Sequence, residues 1–378
     1  MSLIGALIVS ALAHDPVGSF GLRPLLQEGE LAAAWTTWGP VQLQPSGEAL
    51  RVCEEAHPGL RDLWLRRDGS LVLATPTGLA SSSDGGCSQA ASAITDPVSA
   101  LIELGDELVA VLQRPGGDVL AVSSDGLLTH EVIELPLALD VRSVALGGDA
   151  RWWIAGLHGT TPTLLHGLPG ALAEAPLPGP ALLSIAVHGP GPDGTGVTVS
   201  TLGEEGAGTL WILADDTYTL LAELPLAVSG YGCVADRCLV AVNQSLLLGW
   251  DRAAPAPVIP EVVEGPARCL WSLGDALWGC TSLERPGHFE RTTDGRTFDP
   301  QLLRATILER DCPTDTPAAE RCALPLATAD TGAPIESPGP PPEPSGCGCA
   351  QGPGLGWGVL ILPALALVRR SRADGDPS

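Results

Sequence analysis

Acidic pairs, tyrosines, histidines and tryptophans are the residues through which this chain could do chemistry, and their spacing limits what each could do. Asp215-Asp216 could lend carboxylate oxygens to a calcium ion, but no run of oxygen ligands at EF-hand spacing accompanies the pair. Tyr218 and Tyr231 are the only tyrosines. Either could act as a glycosidase nucleophile only beside an acidic partner, with an arginine cluster to hold a substrate carboxylate. Tyr231 adjoins Gly232-Cys233 and reads as a turn anchor. The seven histidines are scattered, without the HExxH or His-x-His spacing that grips a metal. His57, His158 and His288 adjoin Pro or Gly and are expected to be solvated loop residues. No G-x-S-x-G elbow and no phosphate-binding loop is present. The Gly-rich stretch from Gly189 to Gly196 is interrupted by proline and reads as an exposed loop. Trp152-Trp153, and Trp271 with Trp278, could form a platform for a sugar or peptide, although alternating strands more often bury such residues between sheets. These residues point to no catalytic set, no cofactor and no metal, and the reading leans away from an enzyme.

The elements that would have to position these side chains are short strands separated by turns rich in Asp, Gly and Pro. Three turn phrases stand out: Ser82-Ser83-Asp84-Gly85-Gly86-Cys87-Ser88, the shorter Thr292-Thr293-Asp294-Gly295-Arg296-Thr297-Phe298, and the fragment Ser123-Ser124-Asp125-Gly126. In such a turn an aspartate can accept hydrogen bonds from backbone N–H groups, and glycine permits positive φ. Ser or Thr satisfies a neighbouring strand, and an aromatic residue plugs the gap between strands. Strand-rich units begin at Leu60, Val98, Val141, Ala181, Leu226 and Pro266, at separations of 38, 43, 40, 45 and 40 residues. A degenerate unit precedes them, with Ala32 to Gly39 and a worn turn at Pro45-Ser46-Gly47. This period is that of four-stranded propeller blades. The expected fold is all-β, a β-propeller of seven blades with about four strands each. A β-sandwich with long insertions is the alternative, but it would not need a repeating turn phrase.

The turn phrase resembles the Asp-box, S-x-D-x-G-x-T-W, of BNR repeats in sialidase-like and photosystem-assembly-factor-like propellers. In that family Asp-boxes occupy blade-edge turns away from the catalytic cleft. The resemblance therefore implies a structural role for Ser82, Asp84, Gly86, Ser88, Asp125, Gly126, Thr292, Asp294, Gly295, Thr297 and Phe298. It implies no sialidase activity. The family's F-R-I-P phrase is missing, and Phe20-Gly21-Leu22-Arg23-Pro24 is a superficial echo.

The chain has 378 residues, 45% hydrophobic and 17% charged, enough apolar material for a large core. Its formal net charge is -24, and all 20 basic residues are arginine. Such a surface repels phosphate backbones and argues against nucleic acid as a partner. Residues 1–13 read as a signal peptide ending in Ala11-Leu12-Ala13, although a basic leading region is missing. Export accounts for the cysteines, eight of which lie between Cys53 and Cys322. Connectivity is open, and proximity in sequence suggests Cys53 with Cys87, Cys233 with Cys238, Cys269 with Cys280, and Cys312 with Cys322. The propeller is expected over 14–326, followed by a disordered Pro- and Gly-rich linker over 327–345. Residues 346–378 hold Gly346-Cys347-Gly348-Cys349, a short apolar helix over Leu355 to Val368, and Arg369, Arg370 and Arg372.

That tail is similar to the MYXO-CTERM sorting signal of myxobacterial surface proteins, in which a Gly-Cys step precedes an apolar helix and an arginine cluster. The resemblance implies cutting and anchoring near Cys347 or Cys349, with Cys347 favoured, and a sorting protease and membrane-anchoring machinery as partners. The expectation is an exported, monomeric protein anchored at the cell surface through its C-terminal region. It would act as a binding or scaffold module for an extracellular protein or glycan. The alternative is an extracellular hydrolase or lyase, glycosidase-like, on the same scaffold.

Overall fold

The computed structural model describes residues 24–319, apart from 28, 37–38, 45, 47, 53–55, 58, 180–181, 282–286, 304–306, 309 and 317. The first unit holds β1 (Pro24–Gln27), β2 (Glu30–Thr36), β3 (Gly39–Leu43) and β4 (Ala49–Arg51). The second holds β5 (Asp62–Leu65), β6 (Leu71–Thr75), β7 (Gly78–Ser82) and β8 (Ala90–Ala91). The third holds β9 (Val98–Leu104), β10 (Glu107–Leu112), β11 (Val119–Ser123) and β12 (Glu131–Glu134). The fourth holds β13 (Asp140–Leu146), β14 (Trp152–His158), β15 (Thr161–Leu168) and β16 (Ala171–Glu174). The fifth holds β17 (Leu182–Gly189), β18 (Val197–Gly203), β19 (Gly208–Ala214) and β20 (Thr217–Leu224). The sixth holds β21 (Val228–Val234), β22 (Arg237–Val242), β23 (Leu246–Asp251) and β24 (Glu261–Val262). The seventh holds β25 (Cys269–Leu273), β26 (Ala276–Cys280), β27 (Gly287–Thr292) and β28 (Asp299–Leu303). Each unit is an antiparallel meander whose strands pair in chain order. Unit boundaries fall within a few residues of the starts read from the repeat.

Burial across each meander explains its composition. The middle strands β6, β10 and β11 are buried along nearly their whole length, so they read as unbroken apolar runs, not alternating ones. The outer strands β8, β12, β16 and β24 are mostly exposed. Every sheet thus packs on both faces. Among the described residues there are seven such interfaces: units one with two, two with three, and onward to seven with one. The last interface joins Cys269, Phe289 and Leu302 of the seventh unit to Ala34, Val41 and Ala49 of the first. Seven blades therefore close into a ring, and the all-β propeller reading holds.

First strands are stitched to one another at recurring positions. The Leu101 N–H of blade 3 donates to buried Asp62 Oδ2 of blade 2 at 2.7 Å. The Val187 N–H of blade 5 donates to Ser143 Oγ of blade 4 at 2.9 Å. Gly230 of blade 6 bridges Leu270 of blade 7 in parallel. Asp118, just before β11, takes the Val141 N–H of blade 4 at 2.8 Å. Burial raises the Asp118 carboxyl to about 6, against the lowering effect of that hydrogen bond.

Beyond blade 7 the chain returns to blade 1. Strand β29 (Ile307–Leu308) pairs parallel with β4, and Cys312 is disulfide-bonded to Cys87 of blade 2 across 225 residues. This corrects the pairing of Cys87 with Cys53 and of Cys312 with Cys322: ring closure brings the end of the chain beside blade 2, so spatial neighbours outrank sequence neighbours. Cys53 and Cys322 lie outside the described residues. Cys233–Cys238 and Cys269–Cys280 are bonded as proximity suggests, but each joins directly paired positions on adjacent strands. The three disulfides among the described residues are consistent with an extracellular protein. No helix among the described residues is long and apolar enough to cross a membrane. The signal over 1–13, the linker, the apolar helix, Gly346, Cys347 and Cys349 lie outside the described residues.

Two measurements test these closures. Replacing Cys87 and Cys312 with alanine should cost ~5 kcal/mol by the loop-entropy relation, against ~2 kcal/mol for Cys233 and Cys238. Denaturant melts that reverse this order would refute a closing role for the longer bridge. Because folding raises the Asp118 pKa above its unfolded value, its contribution to stability is full below about pH 4. That contribution is lost as pH rises through about 6. The chain should therefore lose more stability between pH 4 and pH 7 than its Asp118→Asn variant, and equal losses would remove Asp118 from the account.

Candidate functional site

The three phrases form one hydrogen-bonded device, always between the third and fourth strands of a blade. In blade 2, Ser82 Oγ donates to Asp84 Oδ1 at 2.7 Å and accepts from the Gly86 N–H at 2.7 Å. The Ser88 N–H and Oγ donate to the two Asp84 oxygens at 2.9 and 2.6 Å. In blade 7, Thr292 Oγ1 accepts from the Gly295 N–H at 2.8 Å, and Asp294 Oδ1 accepts from the N–H groups of Arg296 and Thr297, both at 2.8 Å. The fragment in blade 3 is a complete turn. Asp125 accepts from Ser123 Oγ at 2.7 Å and from Thr129 Oγ1 at 2.6 Å, and the Leu127 N–H donates to Ser123 Oγ at 2.8 Å. The Ser-x-Asp-x-x-x-Thr spacing of Ser123, Asp125 and Thr129 was the available signal, hidden because Leu127 holds the position glycine takes in Gly86.

Hydrogen bonding sets the charge state of these turns. The Thr129 hydroxyl first, then Ser123 and the Thr129 amide, hold Asp125 far below the usual carboxylate range. The Thr297 and Arg296 amides bring Asp294 down to about 2. Burial pulls Asp84 upward, but bonds from Ser88 and Ser82 outweigh it. His57 is buried beneath the blade 2 turn, where Nε2 donates to the Gly86 carbonyl at 2.7 Å. It is no solvated loop residue, because the Gly86 carbonyl takes its ring N–H inside the fold. His158 is exposed, and the side chain of His288 lies outside the described residues.

Each turn is also pressed by an arginine from outside its blade. Gly85, Gly126 and Gly295 have φ of 70°, 72° and 68°. A β-carbon on Gly126 would stand 3.0 Å from Trp64 Cζ3 and 3.1 Å from Arg66 Cγ, and one on Gly295 would stand 2.7 Å from Arg237 Cβ. Arg66 Nε donates to the Gly126 carbonyl at 2.9 Å. Arg296 binds both oxygens of Asp236 in blade 6, at 2.7 and 2.9 Å. Gly85 lies against Arg310, which comes from the returning end of the chain. Phe298 packs among Val234, Leu270 and Leu277 between blades 6 and 7.

A cavity of about 920 Å³ opens at this same end of the ring, between blades 1 and 2. Its lining includes Gln27, Glu30, Gln42, Gln44, Asp84 and Arg310, with apolar floor from Leu31, Leu43 and Leu65. Gln27 Nε2 donates to the Arg67 carbonyl at 2.8 Å and Gln42 Nε2 to the Gly69 carbonyl at 3.1 Å, so blade 1 holds the first turn of blade 2. Arg310 Nη2 donates to Gln42 Oε1 at 2.9 Å. A second cavity of about 470 Å³, between blades 5 and 6, is lined mainly by apolar groups including Ile212, Leu221, Ala253 and Ala254.

Other candidate groups are committed elsewhere. Tyr231 lies buried in β21, not in a turn, and its hydroxyl donates to disulfide sulfur Cys233 Sγ at 2.9 Å. Tyr218 Oη donates to the Pro176 carbonyl at 2.9 Å. Burial raises both phenols well above their ordinary range. His188 bonds Ser200 Oγ at 2.7 Å, and burial pushes it down to about 4, leaving it neutral. Trp152, Trp153 and Trp278 are buried between blades, and Trp271 packs against the closing core, so they form no binding platform. Asp215 and Asp216 form a tight turn with φ of 48° and 58°. Among the described residues no cluster of three or more His, Cys, Asp or Glu could hold a metal.

No protein-family model and no curated protein matches the chain. Similar solved structures include a virginiamycin B lyase from Staphylococcus aureus, at 12% identity over 70% of this chain and 92% of the other, with a TM-score of 0.48. YCF48 from Cyanidioschyzon merolae shares 15% identity over 65% and 87%, with a TM-score of 0.42. The PQQ-bound aldose sugar dehydrogenase from Streptomyces coelicolor shares 15% over 59% and 89%, at 0.39. Likenesses this distant carry no argument, and the propeller assignment stands on strand pairing and the seven interblade cores.

The arginine contacts predict a graded response to alanine. Gly69→Ala, with φ of 81° and nothing within 4 Å, should cost about 1 kcal/mol in backbone strain alone. Gly126→Ala should cost at least about 1 kcal/mol more, because it also displaces Trp64 and Arg66. Equal losses in chemical denaturation would show that the arginine contact contributes nothing.

Proposed function

We propose that this chain is a cell-surface-anchored propeller that binds an extracellular protein or glycan in the cavity between blades 1 and 2. The observation that carries the reading is the cavity itself. Its volume falls within the range of ligand sites, and it sets polar groups from three separate segments above an apolar floor. Anchoring is argued from the tail alone: a Gly346-Cys347 step, with Cys349 close behind, an apolar run and arginines suit a sorting protease and its membrane-anchoring machinery. The acidic surface disfavours nucleic acid. The buried faces are all consumed within one ring, which suits a monomer.

Two experiments bear on this. Ser83 is exposed at the cavity wall, so Ser83→Trp should fill the space without touching the hydrogen bonds of Asp84. On peptide and oligosaccharide arrays the exported chain should lose its strongest signals by about ten-fold or more in that variant, as expected for blocking a site worth over 1.4 kcal/mol. Unchanged signals would move binding elsewhere. For the anchor, Cys347→Ser should shift the protein from the cell-surface fraction into the medium, and retention at the surface would exclude that residue.

A further inference from the structure

Arg310 reaches the cavity from 268 residues beyond Gln42, its hydrogen-bond partner there. The guanidinium lies directly over Gly85, where only a glycine leaves room for it. Its Nε is buried and has no hydrogen-bond partner among the described residues. Asp84 is the neighbouring negative charge, yet both its oxygens are taken up within its own turn by Ser82 and Ser88. The cation therefore has a carboxylate nearby and none bonded to it, and burial weakens its hold on its proton while the Asp84 charge opposes that effect. An anion entering the cavity can meet the Nη donors of such a guanidinium, while the buried Nε keeps the head desolvated.

The rest of the lining narrows the anion. Gln27 donates through Nε2, which leaves its Oε1 to accept, and Gln44 lines the same cavity. Primary amides of this kind pair with peptide N–H and C=O groups. Leu31, Leu43 and Leu65 offer an apolar floor and no aromatic ring on which a sugar could stack. A net charge of -24 repels an acidic polymer at every repeat, but charges a neutral chain ending in one carboxylate only once.

We propose that this cavity recognises the terminal carboxylate of a peptide, with Arg310 as the charged anchor and Gln27 and Gln44 as partners for the backbone that precedes it. This rests on the reading of the cavity as the binding site.

The test uses the full exported chain and two immobilised libraries of random nonapeptides, one with free terminal carboxylates and one amidated. The free-acid library should bind about ten-fold better, the discrimination one charge-assisted pair can supply. Arg310→Gln should abolish that preference, whereas Arg114→Gln, in an arginine held by Asp96 and Glu134 of blade 3, should leave it intact. If Arg310→Gln does not fold, competition on the unmodified chain decides instead. N-acetylglycine should displace the library, and N-acetylglycinamide should not. Equal binding of both libraries, lost in Ser83→Trp, would overturn carboxylate recognition and leave the cavity reading standing. Binding of uronate oligosaccharides but not peptides, abolished by Arg310→Gln, would overturn the peptide assignment alone. Peptide binding untouched by Ser83→Trp would overturn both.

Discussion

Seven sheets that bury both faces against their neighbours leave no free face only when the last meets the first, and this closing interface governs the rest of the molecule. Its core joins Cys269, Phe289 and Leu302 to Ala34, Val41 and Ala49. An open ring would expose two apolar sheet faces at once, far more surface than any single contact at the rim could offset. The returning segment reinforces the same joint, through β29 on β4 and Cys312 on Cys87. Cross-linking across 225 residues acts chiefly on the unfolded chain, by denying it the conformations in which the ends stray apart.

Within the ring, labour is divided between faces and turns. The sheet faces supply the apolar burial, mostly from Leu, Val and Ala with a few aromatic side chains between particular blades. The turns add hydrogen bonds from one blade to the next. An aspartate saturated by its own turn stays ionised without needing a cation, so the arginines that press on Gly85, Gly126 and Gly295 are not consumed in neutralising it. Arg66 spends that freedom on joining blades, and Arg237 pairs instead with Asp251 and Glu261 of its own blade. Arg310 bonds Gln42 of blade 1 over the blade 2 turn and faces a cavity, its Nε left without a partner among the described residues. Structural turn and candidate binding site are thus built from the same parts, with a different use made of the spare donors.

Closure also explains why the candidate site lies where it does. A cavity between blades 1 and 2 is flanked by the segment that completes the ring, so its lining draws on the start of the chain and on its return. Anything that disturbs the return, including loss of the Cys87–Cys312 bridge, would reach the cavity through Arg310, two residues before Cys312.

Repeat spacing alone was enough to read the blade count, because the period of a four-stranded meander is local and its Asp-Gly turns must recur. The blade 2 and blade 7 turns were legible for the same reason: their hydrogen bonds run between residues two to four apart. Local reasoning failed at Thr129, whose glycine signal was replaced by Leu127, and at His57, whose burial is imposed by a turn 29 residues away. Cysteine usage pointed to disulfide bonding without any knowledge of pairing, and the bonds found are consistent with an extracellular protein. What only the tertiary structure decided was which distant residues meet. The partner of Cys87 and the encounter of Gln42 with Arg310 both follow from bringing the two ends of the chain together. No local pattern encodes them, because ring closure is a property of the summed angles between blades and not of any one of them.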